Sequence, residues 1–240
     1  MKQDAIFIGR QLTTVTKDWL NKKKVAYKEQ ALIDITLTSV KDTHWSRLPS
    51  SRKSWIVTSQ WSALWLAQYH QEIGFTPNDK LYCLSKKQAK TLDGLAAQCF
   101  VAQQSGVSSL VQKIKEKNTG EVIIYLKGNR SLKLIEDELR LPTYTVKTMK
   151  VYNNTLLPVQ LSKEFAAYLF FSPSGIQSFI EANNELPHRA SIFTIGPTTG
   201  NKAKSTFSNP VYESSSQDEL EFIKSAVDKL NAKNDYETIR

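Results

Sequence analysis

Phe170-Phe171-Ser172-Pro173-Ser174-Gly175 and Ile195-Gly196-Pro197-Thr198-Thr199 share one design. Each is an apolar run that breaks into a small, hydroxyl-rich turn and then enters a helix pattern. In a parallel α/β sheet such turns lie at the carboxyl ends of strands, where ligands bind. The following helix offers unpaired N–H groups and the positive end of its dipole, which suits an anion. Two such turns in succession predict a site for a ligand with several negative groups. Thr58-Ser59, after the run Ile56-Val57, repeats the design. Arg10, just past Gly9 at the end of the first strand pattern, is placed to hold a carboxylate through two N–H groups.

Other chemistries lack their residues. Ser174 is followed by Gly175 but has no Gly-x-Ser-x-Gly around it, which argues against a serine hydrolase. Lys127-Gly128-Asn129-Arg130 lacks the spacing of a nucleotide-binding P-loop, and no Gly-x-Gly-x-x-Gly follows an opening strand. His44, His70 and His188 do not combine with each other or with Cys83 and Cys99 at metal-ligand spacing. No metal and no organic cofactor is expected. Both cysteines sit in strand-like runs and read as small buried thiols rather than a disulfide framework. Trp55, Trp61 and Trp65 read as core or interface packing.

The 240 residues are 40% hydrophobic and 23% charged, in the range of an ordinary globular protein. The longest apolar runs are too short to span a bilayer. The N-terminus enters a strand pattern with no signal region, so a cytoplasmic location and no membrane contact are expected. The formal charge of +9 favours anionic partners: nucleic acid, acidic lipid, or a polycarboxylate or phosphate ligand. The densest basic groups, Lys22-Lys23-Lys24 and Lys86-Lys87, are not interleaved with aromatics and read as solvated faces.

Strand and helix patterns alternate along the chain, which predicts an α/β fold with parallel sheets. Strands are expected at 5–9, 25–27, 31–37, 54–58, 81–84, 98–102, 122–127, 143–152, 167–171, 191–195 and 210–212. Helices are expected at 11–23, 61–69, 86–97, 109–117, 131–139, 161–166, 174–182, 197–204 and from a capping-box-like Ser216 to about 230. In the first helix Leu12, Val15, Trp19 and Leu20 should share the buried face. The pattern restarts after Lys117-Asn118-Thr119-Gly120. The run 6–10 then pairs with 124–130, 56–59 with 170–174, and Leu84-Ser85 with 195–198. This predicts an internal duplication and two similar α/β domains.

Together these residues resemble the uroporphyrinogen-III synthase family. The resemblance is most specific at 170–175 and 195–199. Val151-Tyr152, Thr58-Ser59 and Leu126-Lys127-Gly128-Asn129 support it, with lysine where the family has arginine. The family implies two parallel-sheet domains joined by two extended linker strands. Here the linkers would be about 31–37 and 146–153, with one discontinuous domain at 1–34 plus 153–240 and a middle domain at 38–146. It implies a lyase that cyclises hydroxymethylbilane, a linear tetrapyrrole with eight carboxylates, to uroporphyrinogen III in an interdomain cleft. Loss of water gives an azafulvene, and a spiro intermediate lets the last ring invert. Carried over to this chain, Tyr152 is the acid that assists departure of the hydroxyl. Arg10, Thr58, Ser59, Lys127, Gly128, Asn129, Ser172, Pro173, Ser174, Gly175, Gly196, Pro197, Thr198 and Thr199 bind substrate. A monomer is implied, with at most transient contact with the preceding pathway enzyme. A basic α/β nucleic-acid-binding protein is the alternative, supported by charge alone. A periplasmic-type binding protein is disfavoured by the missing signal region.

Overall fold

A computed structural model describes residues 5–43, 48, 51–103, 106–131, 133–139, 144–162 and 164–238. The chain divides into two compact units, Met1–Asp34 with Thr155–Arg240, and Ile35–Asn154. Each is built on its own sheet.

In chain order the elements are β1 (Ile6–Ile8), α1 (Thr14–Lys22), β2 (Tyr27–Glu29), β3 (Ile33–Leu37), β4 (Lys53–Val57), α2 (Gln60–Tyr69), β5 (Lys80–Cys83), α3 (Lys86–Thr91), β6 (Gln98–Val101) and α4 (Val107–Lys117). They continue with β7 (Val122–Gly128), α5 (Leu134–Glu138), β8 (Val146–Leu156), β9 (Ala167–Phe170), α6 (Pro173–Ala182), β10 (Ser191–Thr194), α7 (Pro197–Thr206), β11 (Val211–Glu213) and α8 (Glu219–Thr238). Central strands such as β1, β9 and β10 are buried throughout. Strands covered on both faces read as continuous apolar runs, which is why the sequence marks them so clearly.

The first sheet has the order β11-β10-β9-β1-β2, with every pairing parallel. The second has the order β3-β8-β7-β4-β5-β6, parallel from β8 to β6. The orders β2-β1-β9-β10-β11 and β8-β7-β4-β5-β6 are the same arrangement. β1 corresponds to β7, β9 to β4 and β10 to β5, as the sequence pairings predict. With β3 set aside, each half of the chain supplies two strands to one sheet and three to the other. The duplication therefore runs across the units rather than coinciding with them.

Both sheets are doubly wound. Ile6, Ile8, Leu20, Leu169, Phe222 and Ile223 fill one side of the first, and Phe7, Leu32, Phe170, Phe179 and Ile192 the other. In the second, Trp55, Val57, Trp65, Leu126 and Val151 fill one side, and Ile56, Leu110, Ile123, Tyr125 and Ile135 the other. Trp55 is fully buried, and truncating it to alanine is expected to cost about 3–5 kcal/mol. The amino ends of β4, β5 and β7 carry buried ion pairs. Lys53 Nζ lies 3.7 Å from Asp79 and Lys80 Nζ 2.8 Å from Glu121.

Several expectations need correction. No helix forms at 161–162 or 164–166 (Lys163 lies outside the described residues). The Asn183 side chain takes that segment instead, accepting from Leu161 N and donating to Val159 O, both at 2.9 Å. Val15 is 66% exposed, and Thr16 takes the buried position beside Leu20. β2 starts at Tyr27, two residues later than expected, and α3 ends at Thr91 rather than near 97. Cys99 is exposed because β6 is the edge of its sheet, whereas Cys83 is buried. Asp218, not Ser216, caps α8, accepting from Glu221 N at 3.1 Å. His44 and the start of the extended run at Thr143 lie outside the described residues.

Candidate active site

A doubly wound sheet has one point where successive strands change direction, and a crevice opens there beyond the strands' carboxyl ends. In the first sheet that point lies between β1 and β9. The residues that follow these strands are Gly9-Arg10 and Ser172-Pro173-Ser174-Gly175, with Gly196 to Thr199 after neighbouring β10. In the second sheet it lies between β4 and β7. The residues there are Thr58-Ser59 and Lys127-Gly128-Asn129, with Tyr152 on neighbouring β8. The topology thus places the residues proposed from sequence at a switch point or on the strand next to it, toward the carboxyl edge of its own sheet.

The three helix starts are not equivalent. Ser59 Oγ accepts from Ser62 N, and Ser172 Oγ accepts from Gly175 N, both at 3.0 Å. These serines are N-caps, so much of their hydrogen-bonding capacity serves their own helices. Ser172 Oγ also lies 3.1 Å from Ser174 Oγ. α7 has Gly196 at its cap and Pro197 in its first turn, and no side chain caps it.

The charged residues are already partnered. Arg10 Nε is 3.3 Å from Glu219 Oε2, and its guanidinium lies 5.0 Å from the centre of the Phe171 ring. Glu219 Oε1 also accepts from Thr13 N at 2.9 Å, and from Thr13 Oγ1 and Thr16 Oγ1 at 2.8 Å. Burial disfavours the Glu219 charge, but these donors and Arg10 outweigh it and hold the carboxyl below its usual range. Lys127 pairs with Glu136 of α5. Asn129 is committed to the backbone of β8. Its Oδ1 accepts from Asn154 N at 2.7 Å and its Nδ2 donates to Asn154 O at 3.3 Å.

Gly128 and Tyr152 are cross-strand partners, at a register shift between Lys127 and Gly128. A Cβ on Gly128 would run into the Tyr152 ring and come within 2.8 Å of its hydroxyl. Gly9, at the matching point of the first sheet, is similarly covered by Leu32, whose Cδ1 would lie 2.9 Å from an added Cβ. Sequence reasoning passed over Leu32, Tyr125, Ser131, Glu136 and Glu219. A tyrosine in the apolar run Val122-Ile123-Ile124-Tyr125-Leu126 was the available signal for one of them. Among the described residues, no group of three or more His, Cys, Asp or Glu side chains could hold a metal ion. Nor, among them, is any helix long and apolar enough to cross a membrane.

A cavity of about 590 Å³ lies elsewhere, lined by Tyr168, Asn183, Leu186 and Arg189 among others. It sits before β9 and β10, at the amino ends of the strands, away from every turn named above.

The family model described as Uroporphyrinogen-III synthase HemD matches residues 56–223, which is 168 of 240. The chain belongs to the uroporphyrinogen-III synthase family. That makes it an enzyme of tetrapyrrole synthesis, acting in the formation of uroporphyrinogen III for porphyrins and haem. The nucleic-acid reading is left without support. Solved structures agree on the fold. A uroporphyrinogen-III synthetase from Helicobacter pylori 26695 is 17% identical with a TM-score of 0.62, covering 94% of this chain and 99% of its own. A mutant uroporphyrinogen III synthase from the extremely thermophilic bacterium Thermus thermophilus is 14% identical with a TM-score of 0.72, covering 96% and 99%. Comparison with curated proteins finds no match.

Proposed function

We propose that the chain is a cofactor-independent lyase that cyclises hydroxymethylbilane, with Tyr152 as general acid and the switch-point turns as carboxylate holders. The observation that carries this reading is the position of Tyr152. Its ring lies over Gly128, at the carboxyl edge of the strands that bear Thr58 and Lys127.

The chemistry asks for little covalent help. The pyrrole nitrogen pushes out the terminal hydroxyl, and the C–O bond breaks as the Tyr152 O–H gives its proton. Water leaves and an azafulvene remains. The far pyrrole attacks through its substituted α-carbon and forms the spiro intermediate. Fragmentation and reclosure at the other α-carbon invert that ring, and its α-proton, lost as the pyrrole becomes aromatic again, restores the proton that Tyr152 gave up. The net change is loss of one water.

Most of the catalytic task is then proximity: the two ends of a flexible chain must meet in one order. The eight carboxylates supply handles. The Thr198 and Thr199 N–H groups, the Ser174 hydroxyl, Thr58, Arg10 and Lys127 supply complementary donors. Glu219 and Glu136 occupy Arg10 and Lys127 as internal carboxylates until substrate competes for them.

The test is incubation of the purified chain, without added metal or nucleotide, with freshly made hydroxymethylbilane. The products are oxidised and the porphyrin isomers separated. The type III isomer is expected in excess. Type I alone, at the rate of a protein-free control, contradicts the reading.

A further inference from the structure

Tyr125 carries a hydroxyl into a mostly apolar layer that also holds the fully buried Tyr82. Its ring is 3% exposed and packs with Ile56, Ile123 and Ile135 against α4 and α5. An aliphatic residue would serve that packing. The phenol instead reaches toward the carboxyl edge of the sheet, and its oxygen lies 3.2 Å from Thr58 Oγ1. Ser131 is a second hydrogen-bond partner of the phenol, Glu136 and Tyr152 act on it through space, and Lys127 Nζ lies 5.6 Å from the centre of its ring. Ser131 Oγ is fixed in turn, accepting from Gly128 N at 3.0 Å.

We propose that Tyr125 is a positioning residue for Thr58: its O–H donates to Thr58 Oγ1 and turns the threonine proton outward, toward a substrate carboxylate. This rests on the reading of Thr58-Ser59 as a carboxylate-binding turn. A hydroxyl has one proton and two acceptor positions. With Tyr125 filling one acceptor position, Thr58 keeps its proton for the ligand, and the donated bond polarises it into a better donor. In the opposite sense Thr58 would donate inward and present only lone pairs to an anion. Burial pushes the Tyr125 phenol up from its ordinary range, so it retains the proton that the arrangement requires. Gly128 serves both sides of this edge. Its N–H anchors Ser131 beside Tyr125, and its missing side chain makes room for Tyr152.

The test compares Tyr125→Phe, Thr58→Val, Thr58→Ser and the Tyr125→Phe/Thr58→Val double variant with the parent chain. Initial rates on hydroxymethylbilane and melting curves are measured for each. Tyr125→Phe keeps the ring and its packing. It and Thr58→Val are each expected to raise KM about 10-fold, with kcat within about threefold, as for loss of a ground-state contact. The double variant should be no worse than either single, because both remove the same donor. Thr58→Ser, which keeps the hydroxyl, should recover most of the KM lost in Thr58→Val. A raised KM in Thr58→Val with an unchanged KM in Tyr125→Phe overturns the proposal and leaves the Thr58 reading standing. Additive KM effects in the double variant also overturn it. An unchanged KM in Thr58→Val removes the Thr58 reading and the proposal together. A purely structural Tyr125 would lower the melting temperature and leave KM unmoved.

Discussion

Gly128 and Tyr152 face each other across the β7–β8 ladder, and the tyrosine ring occupies the space that a side chain at 128 would need. The glycine is required by close approach and not by a left-handed backbone. Its counterpart in the other sheet, Gly9, lies beneath Leu32. The duplicated frame has the same small-beneath-large arrangement twice, and only one copy carries a hydroxyl.

Gly128→Ala therefore tests whether the phenol must lie where it does. The new methyl group must push the ring away, and overpacking of this kind costs roughly 1–3 kcal/mol. Turnover is expected to fall to the level of Tyr152→Phe or below, with a lower melting temperature. In the Gly128→Ala/Tyr152→Ala double variant the melting temperature should recover, because the clash is gone, while activity stays low. Steady-state rates and thermal melts on the four proteins check this. A Gly128→Ala chain with full activity would show that the ring position is unimportant.

Arg10 is held by Glu219 and the Phe171 ring. If it transfers to a substrate carboxylate on binding, Arg10→Gln should raise KM about 5- to 10-fold and leave kcat nearly unchanged. The effect should shrink as salt is added, since the arginine is exposed and its interactions are screened. KM measured at low and moderate ionic strength checks both parts. Equal losses in kcat and kcat/KM would instead put Arg10 in the transition state.

Glu121 is expected to contribute to the acid stability of the second unit. Burial works against its charge, but Lys80 and the N–H and hydroxyl of Thr119 outweigh burial and hold its carboxyl down to about 2. A folded-state value below the unfolded one means stability that is full above the ordinary carboxylate range and is lost as pH falls from about 5 toward 2. Glu121→Gln should lower stability at pH 7 by about 3 kcal/mol, because buried Lys80 loses its only counter-charge among the described ion pairs and keeps just the Lys117 carbonyl and the Thr119 hydroxyl. It should also flatten the pH dependence across that window. Denaturant melts of both proteins at pH 7, 5, 4 and 3 check the two effects. Parallel curves would mean that another carboxylate governs acid unfolding.

Much of this frame was legible in the residues. Doubly buried strands such as Ile56-Val57 and Leu169-Phe170 announce themselves, and the breaks into Thr58-Ser59 and Ser172-Pro173 mark their carboxyl ends. What escaped depends on partners far away in sequence. The segment 161–166 has helix-like periodicity, but Asn183 takes the N–H of Leu161 at its start and the carbonyl of Val159 just before it. Glu219 reaches Thr13, Thr16 and Arg10 from the far end of the chain, and no local pattern foretells that. Cys99 sits in a strand of ordinary appearance, and its exposure follows only from the strand's place at the edge. For the site, residue types pointed to hydroxyls and arginine, but not to the partners each would take. Ser59 and Ser172 cap their own helices, and Asn129 fastens β7 to β8.

The central claim is that Tyr152 gives a proton to the departing hydroxyl while the rest of the site positions the substrate. The measurement is the initial rate and isomer ratio of Tyr152→Phe on hydroxymethylbilane, beside its melting curve. General acid catalysis contributes about 10²–10⁴-fold in general. A hydroxymethylpyrrole loses hydroxide readily, so turnover should fall by roughly 10- to 100-fold. The type III isomer should still dominate and the melting temperature should hold, since positioning and packing survive the change. A stable Tyr152→Phe chain with the parent rate would contradict the account and leave positioning alone as the source of catalysis.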